Sequence, residues 1–372
     1  MGVTAPAPPA TRVTTLELFF DLVFVFTITQ LTTLLANDLT LRGFGRVVLL
    51  LAVILWMYGG YAWLTNAVPP VTRARRTLIL IGMGSFLSMA LAVPGAFGVT
   101  GWLFGLGYFV VNAVHSGLFL TAGRASAPGM RVIGPVNLAS ATLVFVGGLA
   151  PLGWRYGLWI AAVVLFLVSP FLRSVSDFAI SPEHFVERHG LIIIIALGES
   201  IVAIGLGLAG EPIDASVILI AVLALSLAYL MYWVYFGVDQ SRAEHALGTA
   251  PPADRARMAL SAYAWAHYVL LLGIVVVAAG VKKSVGHAVE HLTIAEALAL
   301  GGGLAIYLLG EAYFRRTLRL GAIRFRVLAA LVAVATVPLG FSMAAIQLFA
   351  LNLVLTGMFL IEVMRGVETM PA

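Results

Sequence analysis

The sequence predicts an all-α fold, a polytopic transmembrane helical bundle of about 12 spans arranged as two six-span repeats of the same orientation. Three observations predict it. Of 372 residues, only 22 are Lys or Arg and 17 are Asp or Glu, a tenth of the chain, against roughly a quarter in an average soluble domain. Hydrophobic residues make up 61%, and the mean hydropathy is +1.02. Charged or Pro/Gly-rich interruptions cut the chain into runs long enough to cross a bilayer, at about 20 residues each. A soluble chain of this size has too few charges to cover so much apolar surface. A secreted disulfide scaffold, a disordered chain and an ordinary cytosolic enzyme are therefore excluded.

The first six spans run near 15-36, 44-68, 77-97, 101-122, 132-152 and 155-172. Arg42 and Arg46 part the first two, Pro69-Pro70 with Arg73 the next, Arg124 and Arg131 the fourth from the fifth. Pro151-Leu152-Gly153 divides the fifth from the sixth. The second six run near 187-209, 214-237, 258-280, 293-314, 325-341 and 343-363. Pro251-Pro252 with Arg255 precedes the ninth, and Lys282-Lys283 follows it. From Phe325 to Val363 one apolar run continues through Pro338-Leu339-Gly340; as a single helix it is too long, so it reads as a hairpin. The expected organisation is a cytoplasmic tail at 1-14, a first repeat at 15-173, a linker at 174-186, a second repeat at 187-364 and a tail at 365-372.

With both ends on one side, that side holds 17 basic residues and the other keeps Arg42, Arg46, Arg155, Lys282 and Lys283. The positive-inside rule then puts both termini in the cytoplasm. The halves also echo each other. Pro151-Leu152-Gly153 recurs as Pro338-Leu339-Gly340, and Trp56-Met57-Tyr58 near the end of span two has a counterpart in Met231-Tyr232-Trp233. Six spans per repeat is an even number, so the halves share orientation.

Cysteine is absent, which excludes disulfides and thiolate chemistry. Net charge is +5, but no dense basic run points to nucleic acid. Met1 to Ala10 lacks a charged n-region, so no removed signal peptide is expected. No cofactor, metal site or catalytic constellation is read from the chain; His184-Phe185-Val186-Glu187-Arg188-His189 lacks the spacing of a zinc protease.

Ionisable groups inside spans are costly and mark function or structural pairing. Glu17 and Asp21 share one face of span one, with Gln30 deeper. They read either as a solvated helix-start pair or as an acidic vestibule. Glu187 and His189 open span seven. Glu199, twelve residues on from Glu187 and so about 18 Å along the helix, falls near the midplane beside Ser200. Secondary candidates are Asn112, His115, His267 and Glu311, the last expected to pair with Arg315 one turn away.

Glu17-Leu18-Phe19-Phe20-Asp21-Leu22-Val23-Phe24-Val25-Phe26 resembles the opening motif of the bacterial low temperature requirement A (LtrA) family. His184-Phe185-Val186-Glu187-Arg188-His189-Gly190-Leu191, continuing to Gly198-Glu199-Ser200-Ile201, resembles its second hallmark. The resemblance implies a multi-spanning bacterial inner-membrane protein and no known reaction. The expected function is a transporter or channel for a cation, a proton-coupled solute or a small polar substrate. Its pathway is lined by Glu17, Asp21, Gln30, Glu187, His189, Glu199 and Ser200. The alternatives are a membrane enzyme acting on a lipid or polyprenyl substrate and a sensor or adaptation protein. Expected partners are membrane lipids and an ion or small polar substrate.

Overall fold

The computed structural model describes residues 13–67, 72–120, 127–172, 180–208, 214–237, 239–285 and 289–365, which are all-helical. Residues 1–12, 173–179 and 366–372, most of the expected tails and linker, lie outside the described residues, as does Pro69-Pro70. The first half contains α1 (Thr15–Asn37), α2 (Leu41–Ala67), α3 (Arg73–Ala92), α4 (Gly101–Leu120), α5 (Ala127–Leu149) and α6 (Leu152–Leu172). The second opens with α7 (Pro182–Gly207), α8 (Ala215–Phe236), α9 (Asp239–Thr249) and α10 (Pro252–Ala259). A π-helical turn, Leu260–Ala266, runs on into α11 (His267–Ser284). α12 (Ile294–Leu318), α13 (Arg324–Ala335), α14 (Val337–Gly340) and α15 (Ala344–Met364) follow.

Every expected span falls on a helix, and ten helices among the described residues are long and apolar enough to cross a membrane. α5 has 23 residues and is apolar over Ile133–Leu149. One expected span falls short of that length. α13 has 12 residues and stops at Thr336. Pro338 two residues on lacks the N–H that would extend the helix. The amphipathic α9 was not expected; it lies between α8 and α10 where the sequence reads as loop.

Helix starts follow local chemistry. Thr14 and Glu17 form a capping box at α1, and Thr293 and Glu296 form another at α12, each satisfying donors that a helix start leaves orphaned. Pro182 and Pro252 stand in the first turns of α7 and α10, where a missing N–H costs nothing.

α1 packs against α3, α7 and α11, and α7 also packs against α8. α11 and α12 pack closely along their length. A Cβ on Gly303 would lie 2.7 Å from Val277 N, and one on Gly310 would lie 2.8 Å from Leu270 N. Small residues let backbones meet where there is no water to expel, which is how helices associate in lipid. The outward face of α8 exposes Ile218, Val222, Leu225 and Tyr229 at helical spacing. An apolar stripe of that length is a lipid-facing surface. The side of the bundle where α1 begins is called the near face below, and the opposite side the far face.

Candidate functional site

α1 carries Glu17 and Asp21 one turn apart; α7 carries His184 and Arg188 one turn apart. The two helices therefore present matching rungs. Glu17 Oε1 lies 3.1 Å from His184 Nε2, and Arg188 Nη1 donates to Asp21 Oδ2 at 3.0 Å. Arg188 Nη1 also donates to the Glu17 carbonyl at 3.0 Å. From α2, Tyr58 donates to Asp21 Oδ1 at 3.0 Å, and Asn66 Nδ2 meets His184 Nδ1 at 3.2 Å. With that amide donating, the imidazole proton sits on Nε2 and points at Glu17. None of the four exceeds 3% exposure. Glu17 thus serves as helix cap and as one rung of a lock among α1, α2 and α7. Glu187 faces away, exposed, and accepts from Val13 N at 3.2 Å.

Further along the same α1–α7 contact, Glu199 is fully buried, with Oε2 hydrogen-bonded to the Thr29 hydroxyl. Thr29 Oγ1 also lies 3.1 Å from the Val25 carbonyl. One turn beyond, Lys282 of α11 donates to Thr33 Oγ1 at 3.0 Å, and its charge acts on Glu199. Glu199 Oε1, Ser200 Oγ and Thr32 Oγ1 are buried without a hydrogen-bond partner. Gln30, half-buried, makes none of these contacts.

A cavity of about 920 Å³ lies between α2, α5, α6, the π turn with the start of α11, and the near-face half of α7. Of the expected site residues, His115, His189 and His267 line it. His115 Nε2 contacts the Gly60 carbonyl at 3.0 Å, and its Nδ1 is buried without a partner. The His189 and His267 rings meet at 5.6 Å. His267 Nδ1 reaches the Ala262 carbonyl, five residues back, at 2.9 Å. That contact spans the widened register of the π turn, a feature often found at functional sites. Trp56 donates to Asn137 Oδ1 at 3.0 Å and stacks on Phe166 and Trp265, with centroids 4.8 and 5.8 Å away. Among the described residues, no Asp or Glu lines the cavity.

Glu311 differs from expectation. Arg315 does not pair with it. The guanidinium is bonded to Asp239 of α9 and lies 3.6 Å from Glu362 of α15. Arg326 of α13 bonds Glu362 and lies 3.4 Å from Asp239. Arg315 turns toward these two acids, and both oxygens of the buried Glu311 have no hydrogen-bond partner. Asn112 donates to the Tyr108 carbonyl on its own helix at 2.8 Å and stays outside the cavity wall.

Sequence reasoning missed this cluster, because its members come from four helices. It also missed Arg155, whose guanidinium donates to the carbonyls of Ala96, Gly98, Gly147, Gly148 and Ala150. The signal was there: a lone arginine just after Pro151-Leu152-Gly153-Trp154, at helix ends that leave carbonyls unpaired. Among the described residues, no three His, Asp or Glu side chains converge where a metal ion fits.

Residues 12–361 match the family model described as bacterial low temperature requirement A protein (LtrA). The chain belongs to the LtrA family. Both motifs quoted above fall inside this LtrA match, and four of their members, Glu17, Asp21, His184 and Arg188, lock α1 to α7. The chain is 30% identical over 315 residues to uncharacterized protein RA0937 of Rhizobium meliloti (strain 1021), covering 81% of this chain and 76% of that protein. No solved structure matches this LtrA chain.

Proposed function

We propose that this LtrA-family chain is a proton-linked transporter of the bacterial inner membrane, with both termini cytoplasmic. Glu199 takes up and releases the proton, and the cavity holds the solute. The observation that carries this reading is Glu199 itself: a carboxyl group in the contact of α1 with α7, with one oxygen unpartnered. Buried acids in membrane helices serve proton relays and ion paths. Two hydrogen-bond arrangements are open to it. When ionised, the carboxylate accepts from Thr29 and feels the Lys282 charge. When protonated, it donates to Thr29, whose hydroxyl then passes to the Val25 carbonyl. A hydroxyl rotation accommodates either state without moving the backbone. α7 and α11 carry this group and its lysine, and they also wall the cavity, which supplies a physical link between proton and solute.

Two six-span repeats fit this reading. α1 packs on α3 as α7 packs on α11, α3 on α4 as α11 on α12, and α4 on α5 as α12 on α13. Equivalent helices α1 and α7 meet at the centre. Glu17 and Asp21 act here as a lock and not as a lining, since both are spent on His184 and Arg188. An enzyme site built from His184, Glu187 and His189 finds less support. His184 holds Glu17, Glu187 faces outward, and His189 contacts the Phe185 carbonyl at 2.8 Å.

The test is proton uptake into proteoliposomes under imposed proton and potassium gradients. Wild type is expected to carry protons and Glu199→Gln, equally well folded, to lose the flux. Normal flux in the mutant removes Glu199 from the pathway.

A further inference from the structure

The cavity has a shape and a charge that name its occupant. Its lining on α2 begins at Leu41 and Arg42 and ends at Trp63, which is about 33 Å at 1.5 Å per residue. The hydrocarbon core of a bilayer is about 30 Å thick. The site is therefore as long as the membrane is deep, and its volume, about 920 Å³, sits at the upper end of known ligand pockets. Along most of that length the walls are aliphatic or aromatic, with Trp56, Phe166 and Trp265 stacked across the middle. Among the described residues, charge enters at one end only. Arg42 and Arg46, one turn apart on α2, line the far-face end. Arg46 is braced by Tyr156 at 2.8 Å and by Asp38 at 3.6 Å; Arg42 is exposed at the rim.

The emptiness is built in by glycine. Gly45, Gly59 and Gly153 all line the cavity, and a Cβ on any of them would meet no atom within 4 Å. Glycine in a helix interior is unfavourable by roughly 1 kcal/mol relative to alanine. The space at Gly45 and Gly59 is thus kept at a cost to α2, without any close backbone contact that would require it.

We propose that the cavity binds an anionic phospholipid, with an acyl chain laid along α2 and the phosphate held by Arg42 and Arg46 at the far face. An end with two arginines against the single carboxylate of Asp38 keeps a net positive charge, which on an apolar channel selects an anionic head over a zwitterionic one, and a membrane-long channel selects a chain over a compact solute. This assignment rests on the cavity being the solute space of the proposed transporter, and names its solute class.

The experiment compares retention of phosphatidylglycerol and phosphatidylcholine by full-length protein purified from nanodiscs of each lipid, read by native mass spectrometry after delipidation. Wild type is expected to keep about one phosphatidylglycerol and to prefer it over phosphatidylcholine. Gly59→Phe fills the open space and is expected to lose the retained lipid; Gly45→Leu serves the same purpose if the first fails to fold. Arg42→Gln and Arg46→Gln are each expected to lower the preference for the anionic lipid about fivefold while leaving chain binding in place. Equal retention of both lipids by wild type, or undiminished retention in the filled variants, overturns the assignment. Proton uptake by proteoliposomes made from the same protein separates the two readings. Lipid retained without proton flux overturns the transporter alone, and proton flux without retained lipid overturns the lipid assignment alone.

Discussion

Arg188 shows what single side chains do in this bundle. Its guanidinium bonds Asp21 and the Glu17 carbonyl and lies over the rings of Phe20 and Tyr58, with centroids 5.9 and 5.6 Å away. Removing one partner of a buried ion pair costs more than removing both, because an uncompensated charge remains. Arg188→Met is expected to destabilise by about 3–5 kcal/mol. The double variant with Asp21→Asn should regain much of that loss in a thermal melt of the detergent-solubilised protein. Equal melting of single and double variants would show that the pair is not the lock described. At this scale the sequence was half legible. Glu17, Asp21, His184 and Arg188 stand out because charge inside an apolar run is rare. Their pairing was hidden, because the partners sit 167 residues apart and only the parallel docking of α1 on α7 aligns their rungs.

Among elements, the π turn at Leu260–Ala266 has the largest consequence. It turns Tyr263 and Trp265 into the cavity wall and brings Ser261 Oγ within 3.0 Å of the Tyr313 hydroxyl on α12. Deleting Ala264 restores the ordinary helical register and rotates α10 by about 100° relative to α11. Because the chain has no cysteine, a cysteine pair at Ser261 and Tyr313 can be joined by a short thiol-reactive linker on a clean background. The parent should cross-link and the deletion variant should not. Persistent cross-linking would mean that the turn is taken up elsewhere. Helix positions were legible from Arg, Pro and Gly punctuation, whereas this turn was not. Its residues read as an unbroken apolar helix, and nothing in their types marks the widened register. The same limit applies to the cavity. Gly45, Gly59 and Gly153 look in sequence like any packing glycines, and only their empty surroundings reveal them.

For the molecule as a whole, the buried ion pairs among the described residues gather on one side, while the far face holds Arg155 and its carbonyl bonds. The lock of Glu17, Asp21, His184 and Arg188 and the cluster of Asp239, Arg315, Arg326 and Glu362 both occur at near-face helix ends. At the far face, the central helices α1, α7 and α11 are joined through the Lys282–Thr33 hydrogen bond and the approach of Gly207 to the Lys282 carbonyl. Paired spin labels at the near and far ends of α1 and α7 are expected to give a narrow distance distribution at the near end and a broader one at the far end. Equal widths would mean that the bundle is fastened alike at both ends. Central helices riveted at one end and lightly latched at the other are joined as tongs are. Any parting of α1 from α7 and α11 therefore starts at the far tips, where the catch is one hydrogen bond from Lys282 to Thr33.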